Sequence, residues 1–233
     1  MRTFLLFLTY VVIVLLAIPV LFVCWVGKWR GPIVAIGKGA VWIGQKVLGI
    51  RVEVSGIERV EKDKTYVFMA NHMSFLDGPM LYRLIPQPAI VILKKGILRL
   101  PVIGLAMKQV GFIPVSKKGE KGRGGSVEKA TQIIREKGFS FLIFPEGTRS
   151  PDGKLASFRR GGFFLAMNSQ VPIIPITLTG TYELMPKKSI FVKKGRVKVI
   201  FHPPFSTQGF DETSLPELIE RIRNIIASGK SEK

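Results

Sequence analysis

The chain is 233 residues long, enough for one domain of ordinary size and a short appendage. Its 35 lysines and arginines against 16 acids leave a formal charge of +19, which points to an anionic partner: nucleic acid, an acidic membrane surface, or an acidic protein or ligand. A single cysteine, Cys24, excludes an internal disulfide and any metal site built on several thiolates, and suits a reducing compartment.

Residues 3–27 carry no charged side chain and are mostly Leu, Val, Ile and Phe. As a helix this stretch reaches roughly 37 Å, against a bilayer hydrocarbon core of about 30 Å. It is long for a secretory signal peptide, and no small-x-small cleavage site precedes the basic flank Lys28-Trp29-Arg30. Residues 31–50 are again mostly apolar, but Lys38, Lys46 and several glycines interrupt them. Trp25, Trp29 and Trp42 lie in or beside the junction, as aromatic residues do at a bilayer interface.

Two geometries fit. In one, the first segment spans and Lys28 and Arg30 stay on the cytoplasmic side. In the other, Pro19 bends the first segment, and the two segments form a hairpin lying in one leaflet. The broken, basic second segment favours the hairpin. Residues 1–50 are thus expected to be a two-helix membrane anchor, and residues 51–233 an α/β domain that folds without it. Each Lys or Arg near an anionic leaflet contributes on the order of 1 kcal/mol, so a basic domain reinforces an apolar anchor. No zinc-finger, basic-zipper or RNA-recognition motif is present, and nucleic acid is not expected as a partner.

From Arg51 onward, short apolar runs alternate with longer amphipathic ones. Residues 52–54, 66–70, 89–93, 111–115, 139–144, 173–178 and 197–201 read as strands. Residues 78–84, 98–107, 126–137, 161–168 and 214–227 read as helices, with Ser214 and Glu217 spaced as a capping box. This alternation predicts an α/β fold: a largely parallel sheet flanked by helices. Residues 117–126 are rich in Gly and Lys but miss the phosphate-loop spacing, and read as a surface loop.

The chemistry concentrates after the strand at 66–70, in Asn71-His72-Met73-Ser74-Phe75-Leu76-Asp77. Polar residues at the end of such a strand sit where α/β folds place their ligands. The chain has only two histidines, so His72 is a scarce candidate base near neutral pH. Five residues along a continuous helix place two side chains about 140° apart, so His72 and Asp77 meet only if the chain turns between them. Gly78-Pro79 fits a helix that starts near Asp77. The spacing admits two readings: a dyad in which Asp77 fixes the imidazole tautomer, or an Asp77 that caps the helix beside a strand-end His72. The second histidine, His202, lies in a rigid His-Pro-Pro strand exit with no acid close behind, and reads as structural.

A second group ends the strand at 139–144: Phe144-Pro145-Glu146-Gly147-Thr148-Arg149-Ser150. Arg149 offers planar recognition of a phosphate or carboxylate, and Gly147 lets backbone N–H groups approach a ligand. Arg159 and Arg160 precede the helix at 161–168, where anions are favoured. Lys94 and Lys95 follow another strand. Three basic loops after three strands point to one phosphate-bearing ligand.

These residues resemble the membrane glycerolipid acyltransferases, and within them the 1-acylglycerol-3-phosphate (lysophosphatidate) acyltransferases. The likeness runs from about Val52 to Phe201. His72 to Asp77 resembles the family's H-x4-D motif, and Phe144 to Ser150 its F-P-E-G-T-R-S motif without departure. Residues 171–176 (VPIIPI) resemble a further block, V-P-I-x-P-x. Residues 111–117 keep the frame of G-x-I-x-x-x-R with Lys117 in place of Arg, which preserves the charge but loses the planar fork.

The resemblance implies acyl transfer from a thioester of acyl carrier protein or coenzyme A to the 2-hydroxyl of lysophosphatidate, forming phosphatidate in phospholipid biosynthesis. His72 would be the general base and Asp77 its orienting partner. Glu146, Gly147, Thr148 and Arg149, with Lys117, would hold the glycerol phosphate, and Lys94 and Lys95 would add contacts. No metal or bound cofactor is implied. The one cysteine lies in the apolar segment and no serine stands in a nucleophile elbow, so direct transfer without an acyl-enzyme is expected. The implied location is the cytoplasmic face of the inner membrane. The alternatives are glycerol 3-phosphate or another lysolipid as acceptor, or a non-catalytic, basic lipid-binding protein.

Overall fold

The structure is a computed structural model that describes residues 2–94, 103–111, 113–115 and 123–231. Two helices open the chain, α1 (Arg2–Val26) and α2 (Gly31–Leu48). The domain that follows contains β1 (Ile50–Ser55), β2 (Val67–Ala70), α3 (Asp77–Leu84), β3 (Ala89–Lys94), α4 (Ile103–Val110), β4 (Ile113–Val115), α5 (Arg123–Lys137) and β5 (Ser140–Ile143). It continues through α6 (Gly161–Ser169), β6 (Ile173–Thr179), the short α7 (Thr181–Leu184), β7 (Gly195–Phe201) and α8 (Leu215–Ser231). Each apolar run read as a strand contains one; α7 is an element the sequence pattern does not predict.

The strands form a seven-stranded sheet in the order β1-β7-β6-β2-β5-β3-β4. Neighbours are parallel except β6 and β7, so the sheet is largely parallel, with β1 and β7 reversed against the other five. All four residues of β2 are buried, as befits a central strand covered on both faces. Period-two alternation splits them. Phe68 and Ala70 join a core with Met80 and Leu81 of α3 and Leu48 of α2. Val67 and Met69 join a second core with Ala130 of α5, Phe163 of α6 and Leu218 of α8.

Strand direction sorts the loops. The carboxyl ends of β2, β3, β5 and β6 share one edge of the sheet with the starts of β1 and β7, since Ile50 pairs with Gly195 and Thr179 with Lys198. The Asn71–Asp77 and Phe144–Ser150 segments therefore emerge side by side.

The N-terminal helices pack against each other where a small residue permits it. A Cβ on Gly44 of α2 would lie 2.5 Å from the Tyr10 hydroxyl of α1. Arg2 Nη1 donates to Leu48 O at 3.0 Å and Thr3 Oγ1 accepts from Val192 N at 3.2 Å, tying the start of α1 to the carboxyl edge. Gln109 Nε2 of α4 donates to Cys24 O at 2.6 Å, tying down the other end. Of the long α1 only Ala17 and Cys24 are buried, and its large side chains, from Phe4 to Val26, stand largely exposed. It is the one helix among the described residues long and apolar enough to cross a membrane. Helix α2 differs: Ile33 and Leu48 are buried, and Lys38 Nζ donates to Ile85 O at the end of α3 at 2.7 Å. Helix α2 thus packs on α1 on one side and on α3 and β1 on the other.

The capping box expected at Ser214 is not what organises the entry to α8. The Asp211 carboxylate accepts hydrogen bonds from Thr213 N at 3.0 Å and Ser214 N at 2.9 Å, while Glu217 pairs with Arg221.

Candidate active site

β2 ends at Ala70 because the next side chain takes over its hydrogen bonding. Asn71 is buried; its Nδ2 donates to Leu178 O at 2.9 Å and its Oδ1 accepts from Leu178 N at 2.7 Å. This amide pairing prolongs the contact between β2 and β6 for one residue while the backbone turns away. The turn then closes on Asp77, the first residue of α3. Its Oδ2 accepts from Met73 N at 2.6 Å and Ser74 N at 2.7 Å, and lies 2.9 Å from His72 Nδ1. Of the two arrangements the spacing left open, the contact with the imidazole is present, whereas Asp77 does not cap the helix: the N-cap position is Leu76, and the carboxylate bonds the turn before it. A carboxylate facing Nδ1 accepts a hydrogen bond from an N–H there, which leaves Nε2 with a free lone pair.

Phe144 covers one face of that ring, stacked at 4.1 Å between centroids with 21° between planes. The imidazole is held from behind and from one face while its side chain stays 20% exposed, so Nε2 is open to a ligand. Ser74 is committed elsewhere, with Oγ donating to Met185 O at 2.8 Å.

The Phe144–Ser150 loop is bolted to the His72 turn by two bonds. Glu146 Oε1 accepts from His72 N at 2.7 Å, and Ser150 N donates to His72 O at 2.8 Å. Glu146 Oε2 accepts from Ala156 N at 2.9 Å, so both oxygens of this buried carboxylate are occupied by backbone. Burial pushes the Glu146 carboxyl above its ordinary value, and the N–H groups of Ala156 and His72 pull it back. These contacts make Glu146 a brace between the loops rather than an exposed ligand.

Gly147 has φ +69°, a conformation that favours glycine, and a Cβ there would lie 2.6 Å from Arg159 Nε. The same approach puts the Arg159 guanidinium against the motif; Arg159 N also donates to Pro145 O at 2.8 Å. Arg149 is half-buried and Thr148 likewise. Among the described residues, neither Arg149 nor Arg159 has a carboxylate partner. Two guanidinium groups without counter-ions beside a histidine favour an anionic ligand at this edge.

Of the other expected cations, Lys94 ends β3 at the same edge, whereas Lys95 and Lys117 lie outside the described residues. His202 is structural, as expected: its Nε2 is 2.8 Å from Thr177 Oγ1, which donates to Ile226 O at 2.8 Å beneath α8. The sequence did not single out the ring of Phe144 or the contact of Arg159 with Gly147. Their signal was present only as a motif phenylalanine and a basic pair before α6.

Fold and site together define the class: an α/β protein whose carboxyl-edge loops present a carboxylate-backed histidine beside arginines without counter-ions. The sequence profile of the Acyltransferase family matches residues 51–179. A chloroplastic 1-acyl-sn-glycerol-3-phosphate acyltransferase of Brassica napus is 37% identical over 158 residues, covering 66% of this chain and 45% of the relative. A 1-acyl-sn-glycerol-3-phosphate acyltransferase of Limnanthes douglasii is 30% identical over 200 residues, covering 84% and 69%. The chain thus spans less than half the length of the Brassica protein. The crystal structure of the 1-acyl-sn-glycerophosphate acyltransferase PlsC from Thermotoga maritima superposes with a TM-score of 0.82 at 25% identity, covering 99% of this chain and 97% of that one. The chain belongs to the acyltransferase family.

Proposed function

We propose that this protein transfers an acyl chain from a thioester to the 2-hydroxyl of 1-acylglycerol 3-phosphate, producing phosphatidate at a membrane surface. The observation that carries this reading is the 2.9 Å contact between His72 Nδ1 and Asp77 Oδ2 beside the arginine-bearing loop. The names of the relatives support the acceptor and product.

In this reading, Nε2 of His72 removes the proton from the acceptor hydroxyl as its oxygen attacks the thioester carbonyl. Asp77 stabilises the imidazolium so formed, and the proton then passes to the departing thiolate as the ester is completed. The stacked Phe144 keeps the ring from rotating out of line. Arg149 and Arg159 take the acceptor phosphate, with Thr148 and the backbone of Gly147 alongside. Lys94, Lys95 and Lys117 are further phosphate contacts in this proposal. Glu146 acts through position, fixing the loop to the His72 turn. Direct transfer fits the commitment of Ser74 and Cys24, the one hydrogen-bonded into the turn and the other buried in α1.

The exposed apolar face of α1 is the membrane anchor in this account. Because both of its ends are tied to the domain, α1 lies along the bilayer rather than through it, as in the hairpin geometry. The site then faces the leaflet on the cytoplasmic side, where either anionic donor, acyl carrier protein or coenzyme A, meets a basic surface.

The test is transfer by the purified protein on vesicles, with both donors and a panel of acceptors. The reading expects thiol release and phosphatidate with lysophosphatidate. Preference for an acceptor without a phosphate monoester would contradict the headgroup assignment. Trapping an acyl-enzyme would contradict direct transfer.

A further inference from the structure

Between α7 and β7 the chain makes an excursion at the carboxyl edge that the catalytic reading leaves unused. Residues 187–194 read KKSIFVKK. At its tip Ile190 and Phe191 are 72% and 68% exposed, among the most exposed large apolar side chains outside α1. The tip is built rather than loose. Ser189 Oγ donates to Phe191 O at 2.9 Å and accepts from Phe191 N at 3.0 Å, and Ser189 N donates to Pro186 O at 2.9 Å. Lys193 N donates to Leu184 O at 2.9 Å, closing the base. Lys188, Lys193 and Lys194 are exposed and Lys187 is half-buried. Among the described residues none of the four has a carboxylate partner.

Two bonds place this segment between the anchor and the site. Val192 N donates to Thr3 Oγ1, which brings the tip next to the apolar face that begins at Phe4. Met185 O, two residues before the segment, accepts from Ser74 Oγ in the His72 turn. An apolar tip ringed by cations, continuous with an apolar helix face, matches the layering of an anionic bilayer: phosphates outside, hydrocarbon beneath.

We propose that residues 187–194 are a second membrane contact. Ile190 and Phe191 enter an anionic bilayer below its headgroups, and Lys187, Lys188, Lys193 and Lys194 pair with lipid phosphates. Through Met185 and Ser74 the contact sets the height of His72 at the lipid plane. The membrane half stands on this surface alone, whereas the catalytic half rests on the acyl-transfer reading above.

The experiment uses the full chain with Cys24→Ala and Ile190→Cys, labelled at position 190 with an environment-sensitive fluorophore. On vesicles of phosphatidylglycerol and phosphatidylcholine the emission should shift to the blue and be quenched by nitroxides on the acyl chains, not by iodide. The same label at Glu136→Cys, on α5 in the opposite helical layer, supplies the water-exposed reference. Quenching by iodide at position 190 in the vesicle-bound protein would overturn the proposal, and is also the outcome if the segment instead docks an acidic carrier protein. In the transfer assay, the double variant Ile190→Ser with Phe191→Ser should raise the apparent KM for a long-chain, vesicle-borne acceptor about tenfold, with the rate on a short, water-dispersed acceptor unchanged. An unchanged KM would overturn the positioning half. A lipid-shielded label in a protein that transfers to no acceptor would support the membrane contact and remove the enzyme reading instead.

Discussion

Asp77 Oδ2 gathers two backbone N–H groups and the His72 imidazole, while Oδ1 is buried with no partner among the described residues. In Asp77→Asn the amide oxygen can keep the Oδ2 place, but the NH2 group then occupies the orphaned position and the oxygen no longer carries a full charge. The turn should survive, with stability lowered by about 1–3 kcal/mol for the buried amide donor. Transfer should fall much further, by about three orders of magnitude, because the imidazolium loses its counter-charge. Parallel thermal melts and rate measurements separate the two effects; a rate loss no larger than the stability change explains would reduce Asp77 to a brace of the turn. The sequence exposed His72 and Asp77 through scarcity and spacing, yet left their meeting open because a five-residue gap does not specify a turn. Asn71 and Glu146 were legible only as motif members. Their work, clamping Leu178 in one case and bracing Ala156 in the other, depends on partners 107 and 10 residues away.

Among elements, hydropathy located the strands because each holds a short apolar run, buried along almost its whole length in β2, β5 and β6, and it located α1 because nothing in residues 3–27 is charged. It does not say what α2 packs against, because apolar residues look the same whether they face lipid or protein. Leu48 sits in the core with Phe68 and Leu81, so α2 packs on the α/β domain as well as on α1, and we propose that the domain needs it. Two truncations test this. Removing residues 2–27 should greatly weaken vesicle binding and remove most transfer to long-chain acceptors while keeping a cooperative thermal transition. Removing residues 2–49 should lose the transition as well, since the core residue Leu48 goes with it. Equal folding of the two truncations would restore the boundary at residue 50.

For the whole molecule, the sheet places its chemistry along the edge from which α1 starts, and α1 is tied to the domain at both ends. A helix held this way has both ends on the domain, so in the proposed account its exposed face and the edge that carries His72 would meet one membrane surface. An N-terminal tag and a C-terminal tag should then be cleaved from the same side of sealed vesicles; protection of the N-terminal tag alone would mean that α1 spans. The net charge of +19 belongs to the same proposal, since it would draw the protein to an anionic surface on which its acceptor would reside. The central claim is that His72, backed by Asp77, is the base for acyl transfer at that surface. The most direct measurement compares His72→Ala with the wild-type chain for phosphatidate formation and for vesicle binding in the same preparation. The account predicts transfer lowered by at least about a thousandfold with binding unchanged. Transfer within a few fold of wild type would contradict it.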